Sequence, residues 1–397
     1  MNEDILKTEK KKIVEMNKEK KRNYGIDLLR IISMIHVLIL HLLLYTNDHK
    51  INKNSKKYRI IWFLEISSIW CVNCFALISG VVGYKNYKFS NLIYLWFQIF
   101  FYSFPIEIIS YKINKKKSSK KNIIDSLFPI MINRHWYFNA YFIMYLFIPF
   151  FNEGIKNLKR KTLRNIIIFF IFFFSIYDMI RILKRKSEYH SLKNGYSSLW
   201  LSILYIIGAY FGKYLIESEN KITKIYFIKW ISIYLILTFS TWKLHLFLLY
   251  KKNLDFKVLL FKKYPFPIVL FQAICLLMIF SKLKINNCLI KRIISFFTPH
   301  VFGVLLFHSR ILHLKTHFLK NFFLSFQKIH SDYLFCATFF WAVFFFVLCS
   351  FVDYFRLLTF KLFKIKDFCI QLENKIPKLI DNILIILGLE KKIMKYN

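Results

Sequence analysis

The stretch Tyr24-Gly25-Ile26-Asp27-Leu28-Leu29-Arg30-Ile31-Ile32-Ser33-Met34-Ile35-His36-Val37-Leu38-Ile39-Leu40-His41 sets ionisable side chains in an otherwise apolar run. Such groups are costly in a bilayer and usually face a bundle interior or a water-filled cavity, so chemistry is to be sought among them. Histidine exchanges protons near neutrality and arginine is a fixed cation. Arg30 and His41 stand eleven residues apart, about three helical turns, which places them on one face about 16 Å apart along the axis. Asp27 lies one turn before Arg30 on that face and can pair with it, so the guanidinium need not be a naked charge. His36 falls about 140° around the helix from His41, so both cannot line one cavity equally, and His36 is read as structural. The competing reading makes Asp27 and Arg30 an anchoring pair at one membrane surface, with His41 merely near the other.

The scaffold for these residues is read from composition. Of 397 residues, 56% are hydrophobic and 20% aromatic, far above an ordinary soluble domain. A spanning helix needs about 20 mostly apolar residues, because its backbone polar groups find no water in the bilayer. With only 9 Gly and 7 Pro there is little turn chemistry for a many-stranded barrel, and runs such as 166–174 show no in/out alternation. The fold class is therefore an all-α, polytopic membrane bundle of about ten helices. The spans are expected at 26–45, 60–84, 91–112, 136–152, 165–183, 197–216, 225–248, 265–281, 293–313 and 332–352.

Residues 1–23 form a basic segment ahead of the first span, a cytoplasmic flank by the positive-inside tendency rather than a secretory signal. An even number of spans returns the C-terminus to the same side, with Lys156, Lys159, Arg160, Lys161 and Arg164, and the tail carrying Arg356, Lys361, Lys364 and Lys366. Lys115, Lys116, Lys117, Lys120 and Lys121 face outward in this arrangement and run against the rule. The membrane domain is placed at 24–356 and a cytoplasmic tail at 357–397, whose apolar patch 383–389 is too short to span and reads as a helix on the membrane surface.

The formal net charge of +38 would suggest nucleic acid in a soluble protein, but here the lysines lie in short loops between apolar spans. No nucleic-acid partner is expected. Heavy use of Lys, Asn, Ile, Phe and Tyr also fits an AT-rich coding sequence. Of seven cysteines, Cys71, Cys74, Cys275, Cys336 and Cys349 fall in apolar stretches and act as small hydrophobes. Cys71-Val72-Asn73-Cys74 has the spacing of a metal or redox pair, but without a second pair or a His cluster no metal site is expected.

An arginine, ten intervening residues and a histidine on the first span, introduced by Asp27-Leu28-Leu29-Arg30, resemble the acyltransferase 3 family of membrane O-acyltransferases. Phe75-Ala76-Leu77-Ile78-Ser79-Gly80 is similar to the end of that family's second span. His135-Trp136-Tyr137 with Ala140-Tyr141, Pro149 and Asn152 is similar to its fourth-span phrase, and Phe302-Gly303-Val304-Leu305-Leu306-Phe307-His308 to a late one. The landmarks keep family order across residues 24–310. Where many members carry two arginines three apart near the third span, this chain has Lys85, Lys88 and Ser90; lysine holds a phosphate as a point charge, without bidentate contacts.

The resemblance implies transfer of an acyl group, usually acetyl, from cytoplasmic acyl-coenzyme A to a hydroxyl of a lipid-linked or surface polysaccharide in a bacterial plasma membrane. Acyl-CoA and the glycan are then the partners besides the bilayer, with no tightly bound cofactor. A hydroxyl needs a base within hydrogen-bond reach, and His41 is the candidate. Arg30 would position a donor phosphate or stabilise negative charge at the thioester, the two roles remaining open. Asp27, Lys85 and Lys88 accompany it as candidate donor-site residues. His308 would orient the acceptor or the base, or else be a satisfied histidine at a helix contact. Trp136 and Tyr137 would stack on a sugar face or on adenine, or else belong to the aromatic belt of the membrane interface. No Gly-x-Ser-x-Gly elbow is present, which argues against a covalent serine intermediate. The rival functions are a polysaccharide polymerase or flippase, and a secondary transporter, for which repeats and Gly/Pro-broken helices would be expected.

Overall fold

The structure is a computed structural model that describes residues 22–44, 51–113, 120–127, 136–184, 186, 189, 190, 192–216, 223–250, 259–314, 322 and 325–386. Among these residues there is no strand. The helices are α1 Tyr24–Leu43, α2 Lys56–Ile66, α3 Cys71–Gly83, α4 Phe89–Ile113, α5 Lys120–Leu127, α6 Trp136–Asn157, α7 Arg160–Ile171, α8 Asp178–Leu183, α9 Ser198–Phe211, α10 Lys224–Tyr250, α11 Pro267–Lys282, α12 Cys288–Phe297, α13 Val301–Leu314, α14 Ser331–Leu362 and α15 Ile365–Ile386. Wider π-helical turns, Phe172–Tyr177 and Gly212–Ile216, join α7 to α8 and extend α9.

Nine stretches among the described residues are long and apolar enough to cross a membrane. They coincide with the predicted spans except at 136–152, where α6 has 22 residues but carries Trp136, Tyr137, Asn139, Tyr141, Tyr145 and Asn152, which lower its hydropathy. Many large apolar side chains on α6, α7, α10 and α14 are exposed, as lipid-facing helices require.

The first helix runs through the middle of the bundle. Asn23 starts it: its Oδ1 accepts the Ile26 N–H at 3.1 Å, while its Nδ2 donates to the Ser281 carbonyl at 2.8 Å and ties the start of α1 to α11. From there α1 packs against α2, α3, α11, α12, α13 and α14. Leu29, Met34, Leu38 and Ile39 are buried on the sides that meet those neighbours.

The tightest helix pair is α3 with α9, and glycine makes it possible. A Cβ on Gly80 would lie 2.0 Å from the Tyr205 carbonyl oxygen, and one on Gly208 would lie 2.0 Å from that of Leu77. The two backbones are thus in direct contact, the small-residue packing that membrane helices use in place of a hydrophobic drive. Polar bonds fix the register: Trp200 Nε1 donates to Asn73 Oδ1 at 3.1 Å, Asn73 Nδ2 donates to the Tyr264 carbonyl at 2.9 Å, and Tyr205 Oη donates to Asn152 at 2.8 Å. Asn73 therefore holds the segment that the Cys71/Cys74 spacing had drawn attention to. Both cysteines are buried, and among the described residues no three His, Cys, Asp or Glu side chains gather to hold a metal.

Two expectations about the C-terminal region need correction. The helix of the last span does not stop at 352: α14 has 32 residues and runs to Leu362, and Arg356, grouped with the tail charges in the sequence, is fully buried against Asp353. A charge that finds its counter-ion three residues away does not end the helix. Beyond it, the expected surface helix at 383–389 begins much earlier, at Ile365, and packs on α4 and α14; residues 387–389 lie outside the described residues. Glu373 of α15 accepts the Phe89 N–H at 2.7 Å and so caps α4 from outside. Burial pulls its carboxyl up, but hydrogen bonds from the Ser90 side chain and the Phe89 and Ser90 backbone, with Lys88 nearby, outweigh this and hold it below the usual carboxylate range.

Candidate active site

Near the start of α1, Asp27 is buried and receives two arginines: Arg30 Nη1 at 2.5 Å and Arg22 Nε at 2.6 Å. The i, i+3 pairing expected from sequence is present, and Arg22, which belonged to the predicted flank, joins it. One carboxylate between two guanidiniums leaves a net positive charge, which suits an anionic ligand. Tyr141 of α6 is a near neighbour of Arg30, and its hydroxyl lies 3.4 Å from Ser79 Oγ of α3. Ser79 in turn donates to the Phe75 carbonyl at 2.8 Å.

Tyr141 belongs to a file of tyrosines on one face of α6. Tyr137, Tyr141 and Tyr145 follow at four-residue spacing with ring centroids 6.1 and 6.0 Å apart. Tyr145 donates to the Lys88 carbonyl at 2.9 Å, which brings the α3–α4 connection to the same end as Arg30. Lys85 and Lys88 sit on that connection with exposed side chains, Lys85 reaching over the Tyr84 ring at 5.3 Å. Tyr137 packs its ring edge-on against Phe75 at 6.3 Å, and its buried hydroxyl has no hydrogen-bond partner among the described residues. Trp136 meets the Tyr137 ring edge-on at 5.5 Å and also packs on Tyr196 at 4.2 Å and Tyr264 at 5.9 Å between ring centroids. His135 lies outside the described residues.

Toward the other end of α1 the structure brings together two histidines that sequence separates by 267 positions. His41 Nδ1 lies 2.6 Å from His308 Nε2, and His308 Nδ1 lies 2.6 Å from the Val304 carbonyl. Carbonyl oxygens only accept, so His308 carries its proton on Nδ1 and presents a lone pair at Nε2. His41 must then donate from Nδ1, which leaves the lone pair of His41 on Nε2. The arrangement fixes both the tautomer and the ring orientation of His41. His36 does neither: its Nδ1 donates to the Ile32 carbonyl at 2.9 Å and its ring packs on Trp70 at 4.8 Å, the structural place read for it.

Sequence reasoning missed a second polar cluster, on α14 and the turn before α13. Asp353, Arg356 and His300 are all buried there. The only signal was an Asp and an Arg three apart at the end of an apolar run, which reads equally well as a flank.

A many-helix membrane bundle whose central helix carries a buried carboxylate between two arginines near its start and, toward its other end, a histidine in contact with a histidine of α13 defines the class: a polytopic membrane protein. The family model for the acyltransferase 3 domain, described as an acyltransferase domain, matches residues 23–355, and the chain belongs to that family. It is thus a membrane acyltransferase. No curated protein and no solved structure matches it.

Proposed function

We propose that this acyltransferase moves an acetyl group from acetyl-coenzyme A to a hydroxyl of a cell-surface or lipid-linked polysaccharide in a bacterial plasma membrane, with His41 as general base. The observation that carries the reading is the His41–His308 contact, which leaves His41 Nε2 as the free lone pair. The acceptor O–H gives its proton to His41 Nε2 as its oxygen attacks the thioester carbonyl. The new C–O bond forms, the C–S bond breaks, and the leaving thiolate takes the proton back from the His41 imidazolium. His308 stays neutral and accepts from His41 Nδ1 throughout, so it orients the base.

Arg30 acts on the donor's phosphates. It stands about three turns from His41 along α1, too far for both to address one carbonyl carbon, and its neighbours Arg22 and Tyr141 belong to the same end. Asp27 holds the two guanidiniums, and Lys85 and Lys88 add positive charge at that end. Tyr137, whose hydroxyl is unpartnered among the described residues, is a donor-side contact; the ring contacts of Trp136 with Tyr196 and Tyr264 support an aromatic surface for the sugar.

The test is direct. The purified protein in lipid is supplied with radiolabelled acetyl-coenzyme A and a cell-envelope glycan fraction. Label is expected in the glycan and is released as acetate by mild alkali, as an O-ester requires. Absence of transfer from any acyl-coenzyme A would overturn the reading in favour of a polymerase, flippase or transporter.

A further inference from the structure

We infer that Asp353 is a positioning residue for the reaction: through α13 it sets the place of His308 opposite His41. The inference rests on the proposed role of that histidine pair.

Asp353 is fully buried on α14, and each of its oxygens accepts two hydrogen bonds. Oδ1 takes Tyr102 Oη of α4 at 2.6 Å and Arg356 Nε at 2.7 Å; Oδ2 takes His300 Nδ1 at 2.7 Å and Arg356 Nη2 at 2.8 Å. A carboxylate with four donors is saturated and has no capacity left for a ligand. Arg356 Nη1 reaches on to Tyr94 Oη at 3.4 Å, a second tie to α4. Three segments therefore meet at one carboxylate: α4, α14 and the turn that starts α13. Buried and fully satisfied polar clusters hold a single arrangement of the elements they join, because any shift leaves charges unpaired in a medium without water.

The clamp is close to the histidine in the chain. A Cβ on Gly303 would lie 1.8 Å from Asp353 Oδ1, so the α13 backbone is pressed directly on the carboxylate. The next residue, Val304, supplies the carbonyl that fixes the His308 tautomer. His308 itself lies eight residues beyond His300, about 12 Å along the helix. Its contact with His41 is 2.6 Å, so a displacement of α13 by about 1 Å would break it. The core patch of Ile99, Tyr102, Phe138 and Leu306, with Phe307 packed on it, carries the same alignment along the helix.

The experiment compares wild type, Asp353→Asn, Tyr102→Phe and His308→Ala in proteoliposomes, with kcat and the KM for acetyl-coenzyme A measured separately. Asp353→Asn is expected to lower kcat about tenfold or more and to leave KM unchanged. Tyr102→Phe removes one donor of four without disturbing charge, and should lower kcat about threefold if Asp353→Asn does not fold. In the His308→Ala background both substitutions should have no further effect, because the residue they act through is gone. Losses that multiply in that background, or a KM that rises in step with the fall in kcat, would overturn the inference and leave the histidine pair standing. A His308→Ala protein that transfers at the wild-type rate would overturn the role of the pair itself, and the inference with it.

Discussion

Replacing His308 by alanine is the perturbation that best separates a working histidine pair from two histidines that happen to touch. The substitution removes the acceptor at Nε2 and leaves the Nδ1–H of His41 without a partner inside the bundle. An unsatisfied buried donor costs about 1–3 kcal/mol. At about 1.36 kcal/mol per tenfold in rate, that corresponds to a fall in kcat of about 5- to 150-fold. Loss of the base itself costs more, about 10²–10⁴-fold, so His308→Ala should lie between wild type and His41→Ala. The assay is the initial rate of labelled acyl transfer in proteoliposomes at saturating donor. The double variant should be no slower than His41→Ala alone, because residues that work as a unit are not additive. The reasoning is refuted by a His308→Ala protein at the wild-type rate, or by a double variant slower than His41→Ala by the full His308 factor.

Further outcomes follow from other parts of the structure. Arg30→Ala should raise the KM for acyl-coenzyme A about 10- to 100-fold, the range of a charge-assisted hydrogen bond, with Arg30→Lys intermediate; steady-state kinetics decides, and a lost kcat at unchanged KM would move Arg30 to the reacting carbonyl. Gly80→Ala drives a methyl into the Tyr205 carbonyl, so the thermal midpoint in detergent should fall in keeping with about 1–3 kcal/mol of overpacking; an unchanged midpoint would mean that α3 and α9 separate freely. The Glu373 carboxyl sits below its ordinary value of about 4.3, so its tie to α4 is fully present above that pH and is lost as pH falls through the lower, folded-state value. The hydrogen-exchange protection factor of the Phe89 amide, corrected for the intrinsic pH dependence of exchange, should therefore fall on acidification in wild type and already be low at neutral pH in Glu373→Gln; equal protection in the two proteins at neutral pH would contradict the cap.

The parts of this protein that sequence reveals are those with a local signature. Spans are legible because an apolar run of membrane length has one stable conformation in lipid. The face of α1 is legible because Asp27, Arg30 and His41 are related by helical spacing alone. The partner of His41 is not, since nothing local relates position 41 to position 308; only the family phrase pointed to His308, with no geometry attached. Arg356 was misplaced because a charge at the end of an apolar run reads as a flank unless its buried counter-ion is known. Trp136 and Tyr137 meet edge-on with ring centroids 5.5 Å apart, yet their other ring contacts differ, Trp136 with Tyr196 and Tyr264 and Tyr137 with Phe75, because adjacent helical residues point about 100° apart.

The central claim is that His41 takes the acceptor's proton. Its most direct measurement is the rate of acetyl transfer to the glycan by His41→Ala at saturating acetyl-coenzyme A, alongside the binding of the donor by the same protein. The account predicts transfer lowered by about 10²–10⁴-fold with donor binding retained. A His41→Ala protein that binds donor and transfers acetyl at the wild-type rate would contradict it.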